Sequence, residues 1–264
     1  MDTESNFLAP DEPPPFTVLE LEPAWPALLV CDHAENRVPV RLDLLGVSPS
    51  DLETHFAIDI GAANVTRALS ASMSLPAVLC GYSRLVVDCN RKLDDPTAFP
   101  LWAEEIPVPG NHGLTHDERQ ARADALYWPY HRAVRDQLAA LEVHARAPAL
   151  LAIHSFTPTM KGQSRPWDIG ILWDKDPRIP VPLLEGLRAI PDLHVGDNEP
   201  YSGKHPHDFT IDYHAEEAGL PHVSIEIRQD LVATGDGAAR WAAILQAVLT
   251  PILSDPTLYT NWTA

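Results

Sequence analysis

Short apolar runs separated by polar, Pro-rich or Gly-rich stretches dominate the chain. Ala27–Cys31, Ala77–Cys80, Leu85–Val87, Ala149–Ile153, Ile169–Trp173 and His222–Ile227 are each only a few residues long, and most are rich in Val, Ile and Leu. Runs of this kind, without polar alternation, predict strands buried on both faces of a sheet. Helical patterns lie between them. Ile60–Met73 is built of good helix formers. Thr115-His116-Asp117-Glu118 matches a capping box and opens an amphipathic run to about Arg146, which Pro129 should kink or split. Two further helices are expected over 210–218 and 235–253. Strands alternating with helices predict a three-layer α/β domain. Residues 1–25 read as a Pro-rich acidic surface arm, and 26–264 as one domain. The Pro-rich stretches 94–110 and 155–168 read as long loops. Both follow strand ends, where open α/β sheets bind ligands.

A length of 264 residues suits one large domain that needs neither disulfide nor metal to close its core. With 19 Lys and Arg against 37 Asp and Glu, the formal charge is −18. That balance argues against a nucleic-acid partner, which requires a basic face, and against an anionic membrane surface. A small anionic substrate remains compatible, because a local Arg pocket works inside an acidic protein. The three cysteines, Cys31, Cys80 and Cys89, sit in or beside apolar runs without CxxC spacing, which fits a reducing compartment. The acidic start lacks the basic and apolar segments of a signal peptide, and no apolar run approaches the length of a membrane span. A cytoplasmic location is expected.

Five segments carry candidate chemistry. In Cys31-Asp32-His33-Ala34-Glu35-Asn36-Arg37, a strand ends abruptly in Asp-His; a strand-end histidine is well placed to bind a metal, though it can equally be a hydrogen-bonded turn residue. Ile153-His154-Ser155 repeats that logic, and two such histidines in a parallel sheet can converge on one edge. Zinc would then need a carboxylate as third ligand: Asp59, an acid in an apolar run whose bland reading is a helix cap, is one candidate, and Glu35, whose bland reading is a solvated turn, is its rival. Glu226, inside the run Val223–Ile227, is a costly buried acid unless it pairs with a cation, such as Arg228, or serves as a general base. Arg84 and Arg91 flank Leu85–Cys89 and Asn90; a guanidinium fork suits a substrate carboxylate, while an ion pair with Asp88 is the structural alternative. The run Asn198–Gly203, followed by His214, is a weaker signal, and His205 and His207 read as loop residues. No HExxH, P-loop, GxGxxG or GxSxG setting is present.

Taken in order, these segments resemble the N-formylglutamate amidohydrolase family over about residues 27–232. The resemblance rests on Cys31-Asp32-His33 with Arg37-Val38-Pro39, Asp59-Ile60-Gly61-Ala62, Tyr82–Arg91, His154–Pro158, Asn198–Gly203, His214 and Glu226–Leu231. It implies an α/β/α fold with a mixed, mostly parallel sheet, similar to zinc carboxypeptidases and aspartoacylases. It also implies a zinc-dependent amidohydrolase of N-acyl amino acids, typically N-formyl-L-glutamate. Carried over residue by residue, His33, Asp59 and His154 hold the zinc and Glu226 activates water. Asn90 and Arg91 grip the substrate carboxylate, and Arg84 shares that task or stabilises the oxyanion. Asn198, Gly203 and His214 belong to the substrate site. The chain departs from the His-x-x-Glu pattern of the carboxypeptidases at Asn36, which puts weight on Asp59. The alternatives are another N-acyl amino acid or carboxypeptidase-like substrate, or a non-catalytic metal or small-molecule binding protein on the same fold.

Overall fold

In the computed structural model, which describes residues 7–204 and 209–263, the core is a seven-stranded sheet. Its strands are β1 (Phe16–Leu19), β2 (Ala27–Cys31), β3 (Ala77–Cys80), β4 (Ala149–Phe156), β5 (Ile169–Leu172), β6 (Val195–Asp197) and β7 (His222–Arg228). The spatial order is β1-β3-β2-β4-β7-β5-β6. The contiguous block β3-β2-β4-β7 is parallel, β1 and β5 join it antiparallel, and β6 runs parallel to β5.

Alternation along the strands sorts side chains to two cores. Ala27, Leu29 and Cys31 of β2, Ala149, Leu151 and Ile153 of β4, and Val223, Ile225 and Ile227 of β7 face one side. There they meet α1 (Ala62–Met73), α4 (Pro180–Arg188) and α5 (Gly235–Leu253). Leu28 and Val30 of β2, with Leu150 and Ala152 of β4, face the other side, against α2 (His116–Arg122) and α3 (Trp128–Leu141) with their junction. The expected three layers and mostly parallel sheet are present.

Local sequence explains the helix boundaries. Thr115 accepts from the Glu118 N–H and Glu118 accepts from the Thr115 N–H, the reciprocal cap expected at α2. Pro129 does not split the helical run. A wide turn over Ala123–Tyr127 precedes it, with the Trp128 N–H donating to the Ala123 carbonyl, and the extra residue places Pro129 in the first turn of α3, where no N–H is needed. The helix near 210 begins at Phe209 and opens into a similar wide turn over Asp212–Glu216.

Two further expectations are corrected. Leu85–Val87 is not a strand: Val86 N–H donates to the Ser83 carbonyl and Leu85 N–H to Ser83 Oγ, so this apolar run is a buried turn without a ladder partner. Residues 16–19 of the supposed arm are the sheet's edge strand, and the chain before them is tied down as well. Gly81 N–H donates to the Pro15 carbonyl and the Tyr82 hydroxyl to the Pro13 carbonyl. The edge strand β6 and helix α4 carried no pattern strong enough to be anticipated. The loops 94–110 and 155–168 each fold back as a small hairpin, Trp102–Ala103 with Ile106–Pro107 and Thr159–Met160 with Gln163–Ser164. No helix among the described residues is long and apolar enough to cross a membrane.

Candidate active site

The site follows from the same alternation. His154 sits on the parity of Leu150 and Ala152, and Glu226 on that of Ser224, so both side chains leave the sheet on the α3 side near the carboxyl ends of β4 and β7. The two are direct register partners. His33 follows the end of β2, next in the sheet. Asp59 arrives from the turn before α1, where its N–H donates to the His33 carbonyl at 3.0 Å. Gly61 makes that turn possible: its φ is +83°, and a β-carbon there would collide with the Val232 carbonyl. Gly61, not Asp59, occupies the cap position of α1, so the Asp59 carboxylate is left for other work.

Asp59 Oδ2 lies 3.2 Å from His33 Nδ1 and 2.9 Å from His154 Nδ1. The three residues are buried, and one ligand atom from each lies within 4.8 Å of the others. Glu35 is elsewhere, paired with Arg37 at 3.2 Å on the partly exposed surface. The other nitrogen of each imidazole faces a second buried carboxylate. His33 Nε2 donates to Asp88 Oδ1 at 2.7 Å. His154 Nε2 lies 3.2 Å from Asp32 Oδ2, off the hydrogen-bond line. Asp32 Oδ1 accepts from the Tyr130 hydroxyl at 2.8 Å and the Thr210 hydroxyl at 2.6 Å. Arg84 bridges Asp59 Oδ1 at 3.1 Å and Asp88 Oδ2 at 3.3 Å.

The electrostatics match this packing. Burial alone would raise the carboxylates and lower the imidazoles. Instead, His33, His154 and Arg84 hold Asp59 far below the ordinary carboxylate range. His154, 3.2 Å away, with His33 and the Thr210 hydroxyl, brings Asp32 down to about 2 against its burial. The same contacts raise both histidines against burial and, for His33, against Arg84. Glu226 behaves oppositely. Burial pushes it up to about 7, with Asp59 adding to the rise and His154 opposing it, and its Oε2 has no hydrogen-bond partner.

The donor set fits a zinc ion. Two imidazole Nδ1 atoms and one carboxylate oxygen are the ligand types zinc takes at catalytic centres. Each imidazole turns its far nitrogen to a carboxylate, the arrangement that fixes tautomer and ring orientation at histidine–metal sites.

A cavity of about 560 Å³ opens onto this cluster and is lined by His33, Asp59, His154 and Glu226, by Arg84, Asn90 and Arg91, and by both long loops. Asn90 Oδ1 accepts the Thr210 N–H at 3.0 Å, and Arg91 donates to the Asn90 carbonyl at 2.7 Å. The remaining expected substrate residues are not among those lining the cavity, and their contacts explain why. Asn198 Oδ1 accepts the N–H groups of Trp173 and Gly203, so it holds the turn together. Gly203 lies against the Trp173 backbone, where a β-carbon has no room. His214 lies behind the site, its Nε2 3.0 Å from His131 Nδ1, while His131 Nε2 donates to the Cys89 carbonyl. His205 and His207 lie outside the described residues. Sequence reasoning missed Asp88 and Asp32 as partners of the histidines, and Tyr201 on the cavity wall. Tyr201 takes a hydrogen bond from Arg165 at 3.1 Å. The available signal for the two acids was that each lies in a buried apolar stretch, which demands a partner.

Comparison with known proteins agrees with this geometry. A family model described as N-formylglutamate amidohydrolase matches residues 25–233. The crystal structure of gene product Atu2144 from Agrobacterium tumefaciens is 37% identical, with a TM-score of 0.89 over 94% of this chain and 98% of that one. An N-formylglutamate amidohydrolase from Ralstonia eutropha JMP134 shares the fold at 19% identity, with a TM-score of 0.72 over 90% of this chain and 97% of that one. No curated protein sequence matches. A family match over most of the length, on a chain that brings His33, Asp59, Arg84, Asn90, Arg91, His154 and Glu226 to one cavity, leads to one conclusion: this protein belongs to the N-formylglutamate amidohydrolase family, whose members are hydrolases of amide bonds.

Proposed function

We propose that the protein is a zinc-dependent amidohydrolase of N-acyl amino acids, with N-formyl-L-glutamate as the family's reference substrate. One observation carries this reading: the His33–Asp59–His154 triangle opens onto the same cavity as Glu226, a buried carboxylate with no hydrogen-bond partner at Oε2.

His33 Nδ1, His154 Nδ1 and Asp59 would hold the ion. When bound, zinc supplies Lewis-acid chemistry, polarising the amide carbonyl and acidifying a water. Glu226 has the position and affinity for the proton work: its Oε2 takes a proton from the attacking water and returns it to the leaving amine nitrogen. A carboxyl near pH 7 can do both at neutral pH, whereas an ordinary glutamate is a poor acid there. Arg91, with Asn90 beside it, grips the substrate carboxylate and fixes the amide over the centre. Arg84 keeps Asp59 and Asp88 anionic and in place, and its partly exposed face is turned to the same cavity, where it can meet developing negative charge. The protein therefore works on a small solute, without nucleic acid or membrane, and a cytoplasmic setting suits its three free thiols.

The test is the metal content of freshly purified protein, together with formate release from N-formyl-L-glutamate before and after chelation. About one zinc per chain, with acyl release lost on chelation and restored by zinc, is the expected result. Protein that neither contains nor binds a divalent metal overturns the reading.

A further inference from the structure

We infer that the cavity selects N-acyl amino acids with an apolar side chain of methionine or phenylalanine size over the dicarboxylate N-formyl-L-glutamate. The inference rests on the amide-hydrolysis reading above and concerns which substrate that site takes.

Three observations carry it. The first is size: about 560 Å³ is the volume of pockets that enclose drug-sized ligands, far more than a formylated glutamate fills. The second is the apolar part of the lining. It includes Phe56, Leu85, Pro100, Trp102, Phe156 and Met160, from four separate segments of the chain. Trp102 stands on the hairpin of the 94–110 loop and is 57% exposed, a costly place for an indole unless something apolar comes to rest on it. The Trp102 hairpin is held toward the 49–58 turn by Glu104, whose carboxylate lies 3.4 Å from His55 Nε2 beside the Phe56 ring.

The third is the supply of positive charge. Two guanidiniums line the cavity, and a third, Arg165, is buried behind the Phe156, Met160 and Tyr201 part of its wall, hydrogen-bonded to Thr157 and Tyr201. Arg84 is committed by both terminal nitrogens to Asp59 and Asp88, carboxylates that lie against His33 and His154. Arg91 is the residue assigned to the substrate's main-chain carboxylate. A second substrate carboxylate directed to the part of the lining formed by Phe56, Pro100 and Trp102 would meet apolar surface there and Glu104 on the hairpin. Both neighbours are unfavourable, one for desolvation and one for like charge. An apolar side chain gains from the same surface and discriminates through it, since each methylene in such a subsite changes specificity by roughly 10-fold or more.

The experiment measures formate release by the zinc-loaded full-length protein from N-formyl-L-phenylalanine, N-formyl-L-methionine and N-formyl-L-glutamate, in wild type and in Trp102→Ala. Trp102 is on an exposed hairpin, so its replacement does not threaten the core. The expected result is a kcat/KM at least about tenfold higher for one of the apolar substrates than for the glutamate, with that ratio falling about fivefold or more in Trp102→Ala. A glutamate substrate hydrolysed as well as or better than both others overturns the inference and leaves amide hydrolysis standing. A preference unaltered in Trp102→Ala overturns the assignment of the wall as its cause. No formate from any of the three overturns the inference and the hydrolysis reading together.

Discussion

Asp88→Asn isolates the support of one proposed metal ligand. The Asp88 side chain is 5% exposed and both its oxygens are engaged. Oδ1 takes the His33 Nε2–H at 2.7 Å and the Asn90 N–H at 2.8 Å, and Oδ2 takes the Arg84 guanidinium at 3.3 Å. An asparagine fits the space but offers one oxygen. With that oxygen toward His33 and Asn90, its NH2 group opposes Arg84, donor against donor. With the oxygen toward Arg84, His33 loses the acceptor that fixes its tautomer. Either way the imidazole loses a full negative charge behind it, and its Nδ1 becomes a weaker ligand. Such supporting carboxylates are typically worth 10–100-fold in metal affinity, or about 1.4–2.7 kcal/mol. The assay is a competition titration of metal-free protein with zinc and a chelating dye, beside urea unfolding of the same samples to show that the fold survives. Zinc affinity within about twofold of wild type, in a protein that unfolds normally, would refute the reasoning that Asp88 positions His33 for a metal.

Three further outcomes are expected. Glu226→Gln keeps zinc and substrate binding but loses at least about 100-fold in turnover, read by formate release at saturating substrate; near-normal turnover removes Glu226 from the chemistry. Gly61→Ala costs about 2 kcal/mol or more, because it forces a side chain into the left-handed region and against the Val232 carbonyl, and it weakens zinc binding by shifting Asp59; unchanged urea stability would contradict this. Glu216→Gln tests an ion pair at the start of β7: His222 Nδ1–H donates to the Leu220 carbonyl at 2.8 Å, and Nε2 lies 2.7 Å from the Glu216 carboxylate, which also meets Lys175 at 3.4 Å, so the charge beside it favours the imidazolium. Despite burial, Glu216 raises His222, and His222 lowers Glu216. The stabilisation is therefore complete between the ordinary glutamate and histidine pKa values, lost as pH falls through the lowered Glu216 value, and lost as pH rises through the raised His222 value. The variant should cost about 1.5–3 kcal/mol near pH 6 and clearly less near pH 10, while equal costs at both would mean that no ion pair exists.

The fold was legible wherever one element carried its own pattern. Runs buried on both faces announced β2, β3, β4 and β7, and the long amphipathic segment with its capping box announced α2 and α3. What escaped detection lacked a local signature. Edge strands such as β1 and β6 are short and partly exposed, so their residues carry neither continuous apolar character nor clean alternation. Leu85–Val87 shows the converse error. Composition reports burial, and burial was correct, but pairing in a ladder depends on neighbours that local sequence does not name.

The same division runs through the site. His33, His154 and Glu226 were legible because a strand fixes where its end residues point, and parity decides which of them share a face. Asp59 was harder, since an acid before a helix is usually a cap, and Gly61 takes that position instead. The sequence offers Asp88 as an ion-pair alternative for Arg84 or Arg91, and the pair with Arg84 is present. The stronger contact, to His33, spans 55 residues, and the Asp32 contacts to Tyr130 and Thr210 span 98 and 178. No local pattern encodes such separations. A buried acid in an apolar run does state that a partner must exist, because an uncompensated charge there would cost several kcal/mol. Asp32, Asp88 and Glu226 all carry that statement, and the structure divides them. Asp32 and Asp88 meet the demand through imidazoles, hydroxyls and Arg84, and so hold the histidines rigid. Oε2 of Glu226 and Oδ2 of Asp32 both lack a hydrogen bond, but Asp32 has His154 Nε2 3.2 Å away and is brought down to about 2, whereas burial lifts Glu226 to about 7. What separates these acids is thus the charge and the hydrogen bonds that the fold supplies to each, and under the proposed mechanism that difference leaves Glu226 to exchange the proton.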